Sequence, residues 1–156
     1  MIDKLGSEGN PKVIRFPRTW LGKESLNFSF SGLKTAVLYH VRGTDLSRPD
    51  SSHLTHGQKA DIAASFQAAV VEVLVEKAVL ACKIFNLSKL LVGGGVAANS
   101  YFRSELARRT NEEKIELILA KQNLCTDNAA MVAGLAYHKF IANQFADWNE
   151  NVISTT

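Results

Sequence analysis

Cysteine is scarce in this chain. Only Cys82 and Cys125 occur among 156 residues. Two cysteines cannot build the disulfide framework of a small secreted domain, so free thiols in a reducing compartment are expected. Long apolar runs are missing too: none reaches the ~18 residues that a membrane span needs. The opening residues, Met1 to Ser7, lack the apolar core of a signal peptide. These absences predict a cytoplasmic protein with no membrane partner. Neither sign of charge dominates, with 18 basic against 15 acidic residues and a net charge of +3. That balance is compatible with an RNA partner without calling for one. No G-x-x-x-x-G-K-[ST] is present, which excludes a P-loop, and no G-x-S-x-G nucleophile elbow occurs. What remains is a globular composition, 46% apolar and 21% charged. The length allows one domain, or one domain with an arm, and a sizeable core.

The most informative stretch is Leu90-Leu91-Val92-Gly93-Gly94-Gly95-Val96-Ala97-Ala98-Asn99-Ser100. An apolar run, three glycines and small residues read as a buried strand, a tight turn and a helix start. Glycines let backbone approach a ligand, and a helix N-terminus offers N–H groups to an anion. Phosphates are therefore expected here. Gly93 to Ala98 formally fits G-x-G-x-x-A, but a dinucleotide fold wants an acid some 20 positions on. That place holds Leu119-Ala120-Lys121, so NAD binding is disfavoured.

The rest of the chain supplies a frame. Val13 to Pro17 suggests a short strand, and Phe28 and Phe30 alternate with polar neighbours as extended chain would. Ser31 is the expected N-cap of a helix to about Val41. Residues 43–54 read as a loop or linker. His53 and His56 are three apart, but no third ligand is spaced for a metal, so a solvated loop is preferred. Thr55 to Gln58 fits a capping box for a long helix to about Phe85. Its apolar residues surround all but a narrow strip of Glu72, Glu76 and Lys83, which predicts a central helix. Strands follow at 88–92 and 115–119, joined by a helix over 99–109. They should be parallel neighbours. On that helix Phe102 and Leu106 face inward, and Arg103, Arg108 and Arg109 outward. Thr126 caps a last helix from Asp127 to about Phe145, with Ala130, Ala133, Tyr137, Phe140 and Ile141 as its inner face. Parallel strands send the loops carrying Asn99 and Asp127 from one sheet edge, where open α/β sheets bind ligands. Asp127 there reads equally well as a cation ligand or as a carboxylate stabilising its own helix. The organisation is thus an arm, strand-helix segment and loop over 1–54, a helix plus βαβα core over 55–146, and a polar tail over 147–156.

Four motifs now share an order and spacing: Phe28-Ser29-Phe30-Ser31-Gly32-Leu33-Lys34-Thr35, Ala64-Ser65-Phe66-Gln67, Gly94-Gly95-Val96-Ala97-Ala98-Asn99 and Cys125-Thr126-Asp127-Asn128-Ala129-Ala130-Met131. Together they resemble the universal tRNA threonylcarbamoyladenosine transferase family, TsaD. The resemblance covers about residues 1–140. It implies the C-terminal lobe of an actin-like, sugar-kinase-like ATPase fold. It implies transfer of a threonylcarbamoyl group from threonylcarbamoyl-AMP to the exocyclic nitrogen of the adenosine beside the tRNA anticodon. It also implies an ATP or adenylate ligand, one divalent metal described as iron or zinc, and partner subunits of a threonylcarbamoyl transferase complex. By the same resemblance Asn99 contacts the nucleotide, Gly94 and Gly95 lie near its phosphates, and Asp127 is a metal ligand. The family's metal histidines, H-x-x-x-H, have no counterpart: His40, His53, His56 and His138 do not supply the spacing. The family's first lobe should precede residue 1. The expectation is therefore half an enzyme, inactive alone, with no catalytic base assignable. Two other readings are a truncated paralogue serving as an interaction module, and a different actin-like ATPase.

Overall fold

The structure is a computed structural model that describes residues 2–43, 54–147 and 149. The chain divides into two compact units, Met1–Cys125 and Thr126–Thr156. The architecture is α/β and mainly helical, with one parallel two-stranded sheet among the described residues.

The first unit is assembled on one helix, α3 (His56–Ile84), of 29 residues. Its start is the expected capping box. Thr55 Oγ1 accepts from the Gln58 amide at 3.2 Å, and Gln58 Oε1 accepts from the Thr55 amide at 2.9 Å. Two such satisfied donors stabilise a helix start by about 1 kcal/mol. Apolar residues then bury on several sides, Ala60, Ala69, Val71, Val73, Val75 and Val79 all at 3% exposure or less. The polar strip is as expected, and each member has a partner: Glu72 with Arg18, Glu76 with Arg109, and Lys83 with Glu113.

Three layers cover α3. A five-residue helix, α1 (Ile2–Gly6), lies against it, where no periodicity had marked a helix. Val71 and Val75 meet Phe102 and Leu106 of α4 (Ser100–Glu112), with Leu90, Val92, Leu117 and Leu119 of the sheet packed alongside. Ala69 meets Phe16 and Leu33, the latter on α2 (Ser31–Arg42). Burying one such Val, Leu or Phe stabilises the fold by roughly 1.5–3 kcal/mol.

The strands β1 (Lys89–Val92) and β2 (Glu116–Leu119) are parallel, in register Lys89 with Glu116 through Val92 with Leu119. They are not buried strands. Leu90 and Val92 turn toward α3 and α4, but the opposite face is open, with Leu91 at 76% exposure. Alternation produces this: a two-stranded sheet packed on one side leaves every second residue outside.

Three further expectations are corrected. Val13–Pro17 forms no strand. The Ile14 amide donates to Ser65 Oγ instead of to a neighbouring strand. Ser31 does not cap α2: it is the first helical residue, and Phe30 precedes it without a side-chain cap. Arg103 and Arg109 do not face out freely, as described below.

The second unit contains α5 (Ala129–Ile141). Its cap is Asn128, not Thr126. Asn128 Oδ1 accepts from the Met131 amide at 3.1 Å, and Nδ2 donates to the Thr126 carbonyl at 2.8 Å. An Asn side chain reaches its own helix better here, so the helix starts two residues later. Ala130, Ala133, Tyr137, Phe140 and Ile141 form no buried face, because none of α5 is buried. Among the described residues of this unit, Phe145 lies edge-on to Phe140 at 5.8 Å. His53 lies outside the described residues.

Candidate functional site

The glycine stretch takes the form of a strand end and a single turn of 3-10 helix. β1 stops at Val92, and Gly95–Ala98 make the turn before α4. Gly94 adopts φ 88°, the left-handed region where a side chain is strained. A β-carbon at Gly94 or Gly95 would meet nothing within 4 Å. The glycine backbone is therefore exposed and open, which suits close approach by an anion.

Asn99 ends the turn and caps α4. Its Oδ1 accepts from the Phe102 amide at 2.8 Å, and its Nδ2 donates to Gln67 Oε1 at 2.8 Å. An amide has two donors and two lone pairs, so Asn99 keeps one N–H and one lone pair for a ligand. Gln67 is 6% exposed on α3, and its bond sets the rotation of the Asn99 amide. Asp3, 97 residues earlier, reaches the same helix end: its carboxylate accepts from the Ser100 amide and hydroxyl, both at 2.9 Å. A carboxylate at a helix N-terminus is favourable by about 0.3–1 kcal/mol. Asp3, Phe66, Gln67, Gly95, Val96 and Asn99 line a cavity of about 490 Å³. Sequence reasoning had singled out neither Asp3 nor Gln67 as lining this cavity. Gln67 was visible within the motif Ala64-Ser65-Phe66-Gln67, whereas Asp3 carried no signal of its own.

Arg103 ties the turn to the loop after β2. Its guanidinium donates to the carbonyl of Ala97 at 2.7 Å and to that of Ala120 twice at 3.1 Å. It also approaches the buried Cys125 thiol at 3.9 Å. The planar fork of arginine fits two loops at once, which a lysine could not reproduce. Arg103→Ala is expected to leave these half-buried carbonyls without their donor and to cost about 1–3 kcal/mol. A downward shift of the urea midpoint at unchanged slope is the check.

The other arginines of α4 are neutralised. Arg108 pairs with Glu105 at 3.0 Å and with Glu112. Arg109 pairs with Glu76 at 2.7 Å and Glu113 at 2.6 Å. Hydrogen bonds from Lys83 and Arg109 hold the Glu113 carboxyl below the ordinary carboxylate range.

Asp127 belongs to the second unit, exposed and one residue before the cap Asn128. The described residues bring together no three His, Cys, Asp or Glu side chains that could hold a metal. One carboxylate does not fit a catalytic metal, which takes about three protein ligands. The described histidines have other neighbours: His56 pairs with Glu8 at 2.7 Å, His40 lies edge-on to Phe16, and His138 edge-on to Tyr137. No described helix is long and apolar enough to cross a membrane.

Comparison with known proteins gives the family. The family model described as TsaD, tRNA N6-adenosine threonylcarbamoyltransferase, matches residues 1–134. A tRNA N6-adenosine threonylcarbamoyltransferase of Moorella thermoacetica is 45% identical over 157 residues, covering 97% of this chain and 43% of the relative. Proteins of the same name from Clostridium kluyveri and Clostridium botulinum (strain Kyoto) are 39% and 40% identical, with the same two shares. The chain thus spans less than half the length of the curated relatives that it matches. From the glycine turn to the matched residues 1–134, the conclusion is that this chain belongs to the TsaD family of tRNA N6-adenosine threonylcarbamoyltransferases.

Proposed function

We propose that this chain supplies the nucleotide-holding part of an enzyme that moves a threonylcarbamoyl group from threonylcarbamoyl-AMP to tRNA. The acceptor is the exocyclic nitrogen of the adenosine beside the anticodon. The observation that carries the reading is the open Gly94-Gly95 turn, with φ 88° at Gly94, beside the cavity that Asn99 and Gln67 share. Backbone amides of the turn hold the phosphate of the adenylate. Asn99 offers its spare N–H and lone pair to the nucleoside, and Gln67 keeps that amide from rotating. The attacking nucleophile is the tRNA base, so no protein nucleophile is needed. Tight positioning of the two reactants can itself supply several kcal/mol of the barrier. The 39–45% identity to threonylcarbamoyltransferases favours this reading over another actin-like ATPase.

Asp127 contributes one ligand to a metal, iron or zinc, whose other ligands lie outside this chain. ATP or the adenylate occupies the cavity at Asn99. Partner subunits of a threonylcarbamoyl transferase complex act on the assembled enzyme in the cytoplasm. No step of the transfer is assigned to the metal, since the described residues do not build its site.

The test joins this chain to the remainder of the Moorella thermoacetica relative and measures threonylcarbamoyladenosine formed on unmodified tRNA. The joined protein should be active and the 156-residue chain alone inactive. In the joined protein, Asp127→Ala should lower the amount of bound metal, read by elemental analysis of the purified protein. Transfer by the chain alone, or full metal content in the Asp127 variant, would contradict the assignment.

A further inference from the structure

RNA binding, if it rests on cations, needs cations that are not already spent on carboxylates. The arginines of α4 do not meet that need, because Arg108 holds two glutamates, Arg109 holds three and Arg103 holds backbone carbonyls. Another surface does. The segment before α2 encloses an open cavity of about 720 Å³, walled by Lys12, Arg15, Arg18, Phe16, Trp20 and Glu72. Its one acid, Glu72, is paired with Arg18 at 2.9 Å. Arg18 is also fixed to the Phe16 carbonyl at 2.7 Å, so its orientation is set. Lys12 and Arg15 are exposed, and neither forms an ion pair with a described residue. Phe16 is buried at 3% exposure and supplies a floor, while Trp20 shows 39% of its surface at the rim.

We propose that this cavity is a docking surface for the RNA substrate, with Lys12 and Arg15 on phosphates and Trp20 beneath an unpaired base. The proposal rests on the tRNA reading above and adds the place on the chain. Cations alone would suit any polyanion. The indole at the rim favours nucleic acid, because every base has a face to stack and an acidic peptide has none. The neutralised Glu72 keeps the floor from repelling phosphate.

The experiment uses the full 156-residue chain and a fluorescein-labelled, unmodified anticodon stem-loop RNA, with anisotropy read across a salt series. Wild type should bind, and more weakly as salt rises. Lys12→Glu and Arg15→Glu should each weaken binding by about ten-fold at low salt and lower the log–log salt slope by about 1. Trp20→Ala should weaken binding by about ten-fold with the slope unchanged. Lys89→Ala, on β1 and paired with Glu116, should alter nothing. Circular dichroism confirms that each variant, all on exposed side chains, stays folded. Equal binding by wild type and the three cavity variants would overturn the proposal. So would displacement of the RNA by polyglutamate as readily as by unlabelled RNA, or no binding by wild type at all. The joined protein separates the two readings. RNA binding that depends on these residues, with no transfer activity, refutes the enzymatic reading and leaves the surface standing. Transfer with unaltered KM for tRNA in the variants refutes the surface alone.

Discussion

Lys77→Met is expected to lower the stability of the chain by about 3–5 kcal/mol, among the largest losses for any single substitution here. Lys77 sits on α3 at 3% exposure, in the middle of an apolar helix. Its ammonium donates to the carbonyls of Trp20 at 2.9 Å, Ser25 at 2.8 Å and Asn27. Three donors meet three acceptors, and the Phe28 ring lies 5.5 Å from the nitrogen. Methionine fills the same volume but leaves three carbonyls without their donor. It therefore isolates the polar loss from any cavity effect. Urea denaturation gives the stability. Limited proteolysis gives the location, since cleavage should appear first between Trp20 and Phe28. A loss below about 1 kcal/mol, within the usual range of a surface change, would mean that the three bonds are not made in solution.

Gly9→Ala should cost about 3 kcal/mol for a different reason. A methyl group at Gly9 would come within 2.7 Å of the Asp61 amide nitrogen, and closer still to the Ala60 carbonyl. Both are backbone atoms of α3, which cannot rotate away as a side chain can. The strand of chain that follows α1 would have to lift. It would take with it the Asn10 amide bond to Asp61, at 2.8 Å, and the Ile14 bond to Ser65, at 3.2 Å. Gly57→Ala is the internal comparison. It lies in the first turn of α3 with nothing within 4 Å, so it should be neutral or stabilising by up to about 1 kcal/mol. A Gly9 variant as stable as the Gly57 variant would show that the turn at Gly9 does not press on α3 as described.

The contrast between these positions explains what could be read from the sequence. Periodicity found α3, α4 and the two strands, because their burial is set by repeating apolar residues. The capping box at Thr55 was legible because both its members are local. The parallel pairing of β1 and β2 followed from one helix lying between them. Lys77, by contrast, carried no signal in the sequence. Its partners lie 50 to 57 residues away, and nothing local announces them. The arm before α2 was opaque likewise, because it is held by polar bonds to Asp61 and Ser65 and by close backbone contact, none of which has a period. Arg103 was misread as an outward residue. Helical spacing gives the side of the helix, but not how far a long guanidinium folds back along it. The glycine turn and Asn99 were legible as a pattern, and Asp3 was not, since its role arises only when the helix end beside it has formed. The outer face of the sheet and the stripe on α5 were expected to be covered. A hydrophobic pattern says that a face is apolar, not what lies over it.

Arg103 has a consequence for motion. Its guanidinium holds the Ala97 carbonyl on one loop and the Ala120 carbonyl on the next. With the Gln122 side chain donating to the Ala98 carbonyl at 2.9 Å as well, the two loops open and close together. A ligand that steadies the glycine turn also damps the segment leading to Cys125. Amide hydrogen exchange should then slow on both loops by a common factor, although only one of them touches the ligand.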